Sequence, residues 1–124
     1  MDLRTEYLGL ELRHPIVASP SPLTGELDNI LRLEEAGASA IVMPSLFEEQ
    51  LKKEAEATDR LMSAGEQSFP EALSYFPEIS GRHGGLDRYL DVLRRANEST
   101  DIPIIGSLNG TTGDGWVGYA TGLE

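Results

Sequence analysis

The sequence predicts an α/β fold built on parallel strands. Three short apolar runs rich in β-branched residues, at 16–18, 41–43 and 104–106, each lead into a polar turn that carries a serine. Stretches with helical spacing separate the runs, as parallel strands require, because such strands need long crossover connections. Ligands of these folds bind at the carboxyl ends of the strands, so we expect any functional site at the three turns.

Composition narrows the class of protein. The 124 residues, of which 40% are hydrophobic, suffice for one small domain. Lysine and arginine number 10 against 21 acidic residues, and the net charge of −11 disfavours nucleic acid and anionic membrane surfaces as partners. The absence of cysteine excludes disulfides, thiolate metal sites and cysteine nucleophiles from these residues. With no leader-like start and no apolar run of membrane-spanning length, a cytoplasmic protein is expected.

The first strand is expected between a hairpin and a helix. Alternating residues around Gly9, within 7–12, predict a small hairpin ahead of the strand. After the strand, Thr24 is expected to be the N-cap of a helix with apolar residues at helical spacing, and Gly37 is expected to end that helix. The second strand follows directly.

A long interval separates the second strand from the third. Residues 48–60, rich in Glu, Lys and Ala, predict a mostly solvated helix with i, i+4 ion pairs. The prolines and glycines of 63–85 predict an irregular excursion. We expect aromatic side chains to anchor it, namely Phe69, Tyr75 and Phe76. From Leu86 onward, apolar residues at i, i+3, i+4 and i+7 predict an amphipathic helix that leads into the third strand.

The chain ends within a predicted element, because helical spacing begins after Asp114 and Glu124 is the last residue. Three parallel strands with open edges make a poor independent fold. We therefore expect the front portion of a larger protein. In isolation, this portion is expected either to self-associate into a homo-oligomer or to populate a loosely packed state. The alternative is a non-catalytic acidic α/β module that binds a protein partner through its open sheet edge.

Several stretches resemble the dihydroorotate dehydrogenase superfamily, and within it most closely the dihydroorotate dehydrogenase-like FMN flavoproteins. Together they span nearly the whole chain, and they are residues 7–10 with 14–19, 33–38 with 44–50, and 103–110. The most specific are Pro-Ser-Leu-Phe-Glu-Glu-Gln at 44–50 and Ser-Leu-Asn-Gly-Thr-Thr at 107–112.

The resemblance implies a TIM (β/α)8 barrel that binds FMN at the carboxyl ends of its strands, in an oxidoreductase acting on CH–CH groups. Residues 1–124 would form the N-terminal portion of that domain, with the leading hairpin and about three βα units, truncated in the helix after the third strand. The family's catalytic base and its loops for the FMN phosphate are expected beyond Glu124. The chain alone is therefore expected to be inactive, whereas the complete protein would act on a small-molecule substrate.

The resemblance also implies which residues approach the cofactor. The backbone of Ala18 and Ser19 would lie beside the flavin ring, where small side chains are needed. Ser45 would lie near the flavin, and Asn109 within reach of its polar edge. The resemblance assigns no catalytic role and no metal-binding role to any residue of this chain.

Two departures from the pyrimidine enzymes concern the substrate. Pro44 stands where those enzymes have a lysine, and residues 75–82 stand where they have an asparagine-rich loop that holds the orotate ring. Dihydroorotate is therefore not the expected substrate.

Plainer interpretations fit the same residues. The serines at 19, 45 and 107 also fit a structural role as small polar residues that end strands. Asn109-Gly110 is also a common turn dipeptide.

Two further motifs carry weaker signals. The glycine-rich stretch 110–115 precedes a helix and suggests a phosphate cradle, but it lacks the P-loop lysine, so a turn is the stronger interpretation. His14 and His83 lack the spacing of metal ligands, which favours a strand-flanking and a loop histidine.

Overall fold

The structure, a computed structural model, describes residues 1–68 and 84–123. Within these ranges the fold is mixed α/β. The strands are β1 (Thr5–Tyr7), β2 (Leu10–Leu12), β3 (Ile41–Phe47) and β4 (Ile104–Asn109). The α-helices are α1 (Leu27–Glu35), α2 (Glu48–Ser68), α3 (Gly85–Ser99) and α4 (Gly113–Leu123), and a 3-10 turn covers Pro22–Gly25.

The core strands are parallel and follow one another in chain order, as predicted. Strand β3 pairs in parallel with β4, starting from Ile41 opposite Ile104. On the other edge of β3, Ala18 forms an isolated parallel bridge with Ile41. The Ala18 N–H donates to the carbonyl of Ala40, and the Val42 N–H donates to the carbonyl of Ala18. The first predicted strand is therefore reduced to this one bridge.

The polar turns predicted after the second and third apolar runs are wrong, because both strands continue through them. Strand β3 runs to Phe47 and β4 to Asn109, so Ser45 and Ser107 lie inside strands. The register explains how a proline is accommodated. Val42 lies opposite Ile105 but Ser45 lies opposite Ser107, so β3 holds one extra residue in a β-bulge. Proline has no N–H for the ladder and is tolerated at such bulges.

The predicted hairpin is confirmed. Strands β1 and β2 are antiparallel, and Tyr7 lies opposite Leu10. Leu8 and Gly9 connect them with φ of 53° and 76°. Positive φ at both central residues is the geometry of a two-residue hairpin turn of type I′.

The bounds of α1 are partly as predicted. The expected N-cap at Thr24 is wrong, because Thr24 lies in the 3-10 turn and its hydroxyl exchanges hydrogen bonds with the backbone of Ser21. The expected stop at Gly37 is confirmed. Gly37 has φ +98° and donates to Glu34, while the N–H of Ala38 donates to Leu33. This pair of hydrogen bonds closes the helix in a Schellman motif.

The main core lies between the parallel strands and helices α1 and α3. Ile30, Ile41, Ala96 and Ile102 form its buried centre. Partly buried residues pack around that centre, namely Ala18, Leu27, Leu33, Ala38, Val92 and Ile104. The amphipathic spacing predicted for α3 is confirmed, since Leu93 and Ala96 are its buried residues.

Helix α2 is mostly exposed, which confirms the prediction for 48–60, and it continues to Ser68. The irregular excursion predicted from residue 63 is therefore helical at its start. Residues 69–83, with Phe69, Tyr75, Phe76, His83 and the stretch 75–82, lie outside the described residues. Every helix in 1–68 and 84–123 is too short or too polar to span a bilayer.

Candidate functional site

The parallel strands have one face covered by helices and one face left largely free of them. Ala18 and Ile104 point into the core on the helix side. On the opposite face, Val17, Ser19 and Val42 line a cleft of about 370 Å³ that the β1–β2 hairpin bounds on its other side. We call this opposite face the open face.

The β-bulge brings two serines together on the open face. Gly106 faces the helices, because a Cβ added there would lie 3.3 Å from Leu123, so alternation directs its neighbour Ser107 to the open face. Without the bulge, Pro44 would lie opposite Ser107. With it, Ser45 takes that place, and the two hydroxyl oxygens lie 2.7 Å apart.

Tyr89 of α3 holds the backbone at this position. Its phenol oxygen accepts a hydrogen bond from the Ser107 N–H at 3.0 Å and donates to the Ser107 carbonyl at 3.4 Å. Burial raises the pKa of Tyr89, so the phenol stays protonated at neutral pH and keeps its donor. Tyr89 also lines a cavity of about 200 Å³ on the helix side, together with Met43, Pro44 and Val92.

The remaining residues predicted at the site lie in different surroundings. Asn109 is exposed at the end of β4, opposite Phe47, and two residues beyond Ser107 along the same face. Ser19 is exposed and lines the cleft, whereas the side chain of Ala18 packs in the core. The structure thus joins Ser45 to Ser107, which the sequence analysis left unassigned, and separates the Ala18 side chain from them.

A buried carboxylate lies at the carboxyl end of β3. Glu48 is only 1% exposed, although the sequence predicts a solvated residue there. Its Oε2 accepts hydrogen bonds from the Thr111 N–H, the Thr111 hydroxyl and the Thr112 N–H at 2.6, 3.1 and 2.9 Å. Its Oε1 accepts from the Thr112 hydroxyl at 2.6 Å and from the Lys52 ammonium at 2.5 Å. Tertiary contacts with the β4–α4 connection therefore override the solvated pattern. Of the predicted i, i+4 ion pairs in the Glu48-Glu49 and Lys52-Lys53 run, the one between Glu48 and Lys52 is confirmed.

These contacts hold Glu48 in its charged form. The hydrogen bond from Lys52, followed by those from Thr112 and Thr111, keeps the pKa of the Glu48 carboxyl far below its ordinary range. The same contact with Glu48 raises the pKa of Lys52. A carboxylate at the amino end of α4 is also favoured by the helix dipole.

The glycine-rich stretch 110–115 closes around this carboxylate. A Cβ added to Gly115 would overlap the Glu48 carboxyl group, and one added to Gly110 would lie 2.9 Å from the Trp116 indole. The Thr112 hydroxyl accepts from the Gly115 N–H at 3.1 Å and so caps α4. The anion-binding geometry suggested for this stretch exists, and its occupant is the protein's own Glu48.

Sequence reasoning missed three parts of this region. Glu48 lies within a helical pattern that is equally compatible with exposure, so no local signal marks it. Tyr89 belongs to the apolar stripe predicted for the helix after Leu86, so its partial burial is expected, but its hydrogen bonds to Ser107 are not. The Thr111-Thr112 pair is different, because Thr112 stands directly before the helix and Asp114 lies in the first helical turn, which together are an N-cap signal.

No cluster of histidine and carboxylate side chains suited to a metal occurs within residues 1–68 and 84–123. The Nδ1 atom of His14 accepts a hydrogen bond from the Ile16 N–H at 3.3 Å, which places His14 beside the first strand as predicted.

Comparison of the chain with protein-family models, with curated protein sequences and with solved structures finds no match. Assignment of a function to the open face therefore depends on its geometry and chemistry.

Proposed function

We propose that this chain is the N-terminal portion of a (β/α)8 barrel in an FMN-dependent oxidoreductase acting on CH–CH groups, of the dihydroorotate dehydrogenase-like kind. The observation that carries the proposal is the arrangement of the strands. Successive parallel strands lie side by side in chain order, with helices on one face and an open face on the other. In a (β/α)8 barrel the helix-free face becomes the interior, and the carboxyl ends of its strands hold the ligand.

The donor set of the open face suits FMN. Ser19, Ser45, Ser107 and Asn109 offer hydroxyl and amide groups toward the carboxyl ends of the strands. These groups can hydrogen-bond the carbonyl and nitrogen atoms at the edge of a flavin ring. Apolar side chains on the same face, such as Val42, suit the flat surface of the ring.

In this proposal the chain's residues orient the cofactor and leave proton transfer to other parts of the protein. Bound FMN would supply hydride transfer between a substrate carbon and the flavin N5 atom. The position of Pro44 supports a substrate other than dihydroorotate. Pro44 lines the helix-side cavity, so the position where the pyrimidine enzymes have a lysine directs no cation toward the open face. A small molecule other than dihydroorotate is the proposed substrate.

The test is the flavin content of the protein purified under native conditions from a host that expresses its complete reading frame. We expect a yellow protein with flavin absorbance and released FMN. Ser19→Leu, which adds bulk on the open face, should lower the ratio of flavin to protein, whereas Ser99→Leu, at the exposed end of α3, should not. A colourless wild-type protein that binds no added FMN would overturn the proposal.

One observation favours the alternative of a partner-binding module. Large apolar side chains are exposed near the carboxyl end of β4, with Phe47 42%, Trp116 47% and Val117 69% exposed. Exposed apolar side chains mark an interaction surface when they form one contiguous patch. A colourless protein that stays folded and monomeric would favour this alternative.

A further inference from the structure

The contact between Ser45 and Ser107 on the open face depends on the β-bulge in β3. Regular pairing would place Pro44 opposite Ser107, and the bulge replaces it with Ser45. The extra residue turns Met43 and Pro44 toward the cavity on the helix side and aims the Ser45 hydroxyl at Ser107. Bulges next to functional sites re-aim a side chain in this way.

A side chain from outside the sheet holds the backbone of Ser107. Tyr89 binds both its N–H and its carbonyl, which fixes the backbone from which the Ser107 hydroxyl projects. Its hydroxyl in turn fixes the position of the Ser45 hydroxyl through a 2.7 Å contact. Tyr89 of α3 therefore fixes Ser107 of β4, and Ser107 in turn fixes the hydroxyl of Ser45.

The two serine hydroxyls have one more proton than their mutual hydrogen bond uses. Each serine hydroxyl carries one proton, and one of these is used in the bond between Ser45 and Ser107. One O–H remains to donate, and among the described residues no second partner accepts it from either serine. The pair is half-buried on the open face, where a ligand atom could accept that proton.

We propose that Ser107 is a positioning residue for Ser45, and that the two hydroxyls act as one unit that offers a single O–H to an acceptor atom of the bound flavin. The inference rests on the proposed function, which it deepens. The acceptor is a carbonyl oxygen or an unprotonated ring nitrogen, because these are the flavin groups that can accept a hydrogen bond from a serine hydroxyl.

A double-mutant cycle on FMN binding tests the inference. Flavin fluorescence titrations on the product of the complete reading frame compare the wild type with Ser45→Ala, Ser107→Ala and the double variant. Each single variant should weaken FMN binding about fivefold, as the loss of one net hydrogen bond does, and the double variant should be no weaker than Ser45→Ala. Ser107→Thr, which keeps the hydroxyl and suits a strand, should retain the wild-type affinity.

Tyr89→Phe and Ser99→Ala complete the design. Removal of the Tyr89 hydroxyl should weaken FMN binding when Ser45 is present and have no effect in the Ser45→Ala background. Ser99→Ala should change nothing, because Ser99 is exposed at the end of α3. The visible absorption band of bound flavin should shift in Ser107→Ala and return to its wild-type position in Ser107→Thr, which a purely structural role would not produce.

The outcomes separate this inference from the proposed function. A wild-type protein that binds no FMN overturns both. A wild-type protein that binds FMN, with losses in Ser45→Ala and Ser107→Ala that add in the double variant, or with no loss in Ser107→Ala, overturns the inference alone.

Discussion

Thr112 donates both its backbone N–H and its hydroxyl to the buried carboxylate of Glu48, at 2.9 and 2.6 Å, one to each carboxyl oxygen. The first residue of α2 is thereby tied to the residue that precedes α4. Glu48 also accepts hydrogen bonds from Thr111 and Lys52, so every group that faces its two carboxyl oxygens is a hydrogen-bond donor.

Replacement of Glu48 should release the start of α4. In Glu48→Gln the amide NH₂ group would replace one of the two carboxyl oxygens. Because both oxygens face hydrogen-bond donors, the NH₂ group would meet a donor in either orientation, and Lys52 would lose its charged partner. We expect Tm to fall by several degrees and the fluorescence of Trp116, the protein's single tryptophan, to change. Glu49→Gln is the matched control, because Glu49 is exposed on the same turn. Equal Tm values for the two variants would contradict this role of Glu48.

Stability should fall in acid partly through Glu48. The pKa of this carboxyl is lower in the folded protein than its ordinary value of 4.5, so its contribution to stability is complete above that value. The contribution is lost as pH falls through the range below 4.5 toward the lower folded pKa. Urea unfolding between about pH 7 and about pH 3 should show a steeper loss for the wild type than for Glu48→Gln. Parallel curves would show that Glu48 contributes nothing to acid sensitivity.

Two glycines of α4 should respond oppositely to alanine. A Cβ at Gly115 would overlap the Glu48 carboxyl group, which cannot move without losing its hydrogen bonds, so Gly115→Ala should destabilise the protein by about 1–3 kcal/mol. A Cβ at Gly118 meets nothing within 4 Å, so Gly118→Ala should stabilise the protein by up to about 1 kcal/mol through helix propensity. Urea unfolding measures both. Stabilisation by both substitutions would mean that Glu48 does not lie against α4.

The helix-side core should depend on Ile30. Its side chain is fully buried between α1 and the parallel strands, so Ile30→Ala should cost about 2–5 kcal/mol of unfolding free energy. Leu61→Ala is the control, because Leu61 is 76% exposed on α2 and its replacement should change stability by less than about 0.5 kcal/mol. Similar losses in the two variants would contradict the packing of α1 on the strands.

Dihydroorotate should not be oxidised by this chain when FMN is supplied. Pro44 provides no cation for the orotate carboxylate and faces the helix side. The measurement is steady-state reduction of an artificial electron acceptor with dihydroorotate as donor. Turnover above that of free FMN would show that other residues bind this anion.

The elements that the sequence predicts correctly are those whose signal is local. The hairpin turn at Leu8-Gly9 and the helix stop at Gly37 each depend on backbone conformations that neighbouring residues impose. The α3 helix follows from apolar spacing along one helix face. The parallel strands follow from β-branched runs separated by helical stretches.

The site is different, because its residues acquire their roles from partners far along the chain. Pro44-Ser45 has the composition of a turn, yet pairing with β4 draws it into a bulged strand and sets Ser45 against Ser107. Glu48 has the local pattern of a solvated helix residue, and only the approach of Thr111 and Thr112 buries it. The sequence by itself determined which strands and helices follow one another along the chain, through periodicity and turn chemistry, but not where β3, β4 and α2 end. The tertiary structure decided which polar groups meet, because the desolvation of a carboxylate or hydroxyl is offset only by hydrogen-bond partners that the fold brings from elsewhere.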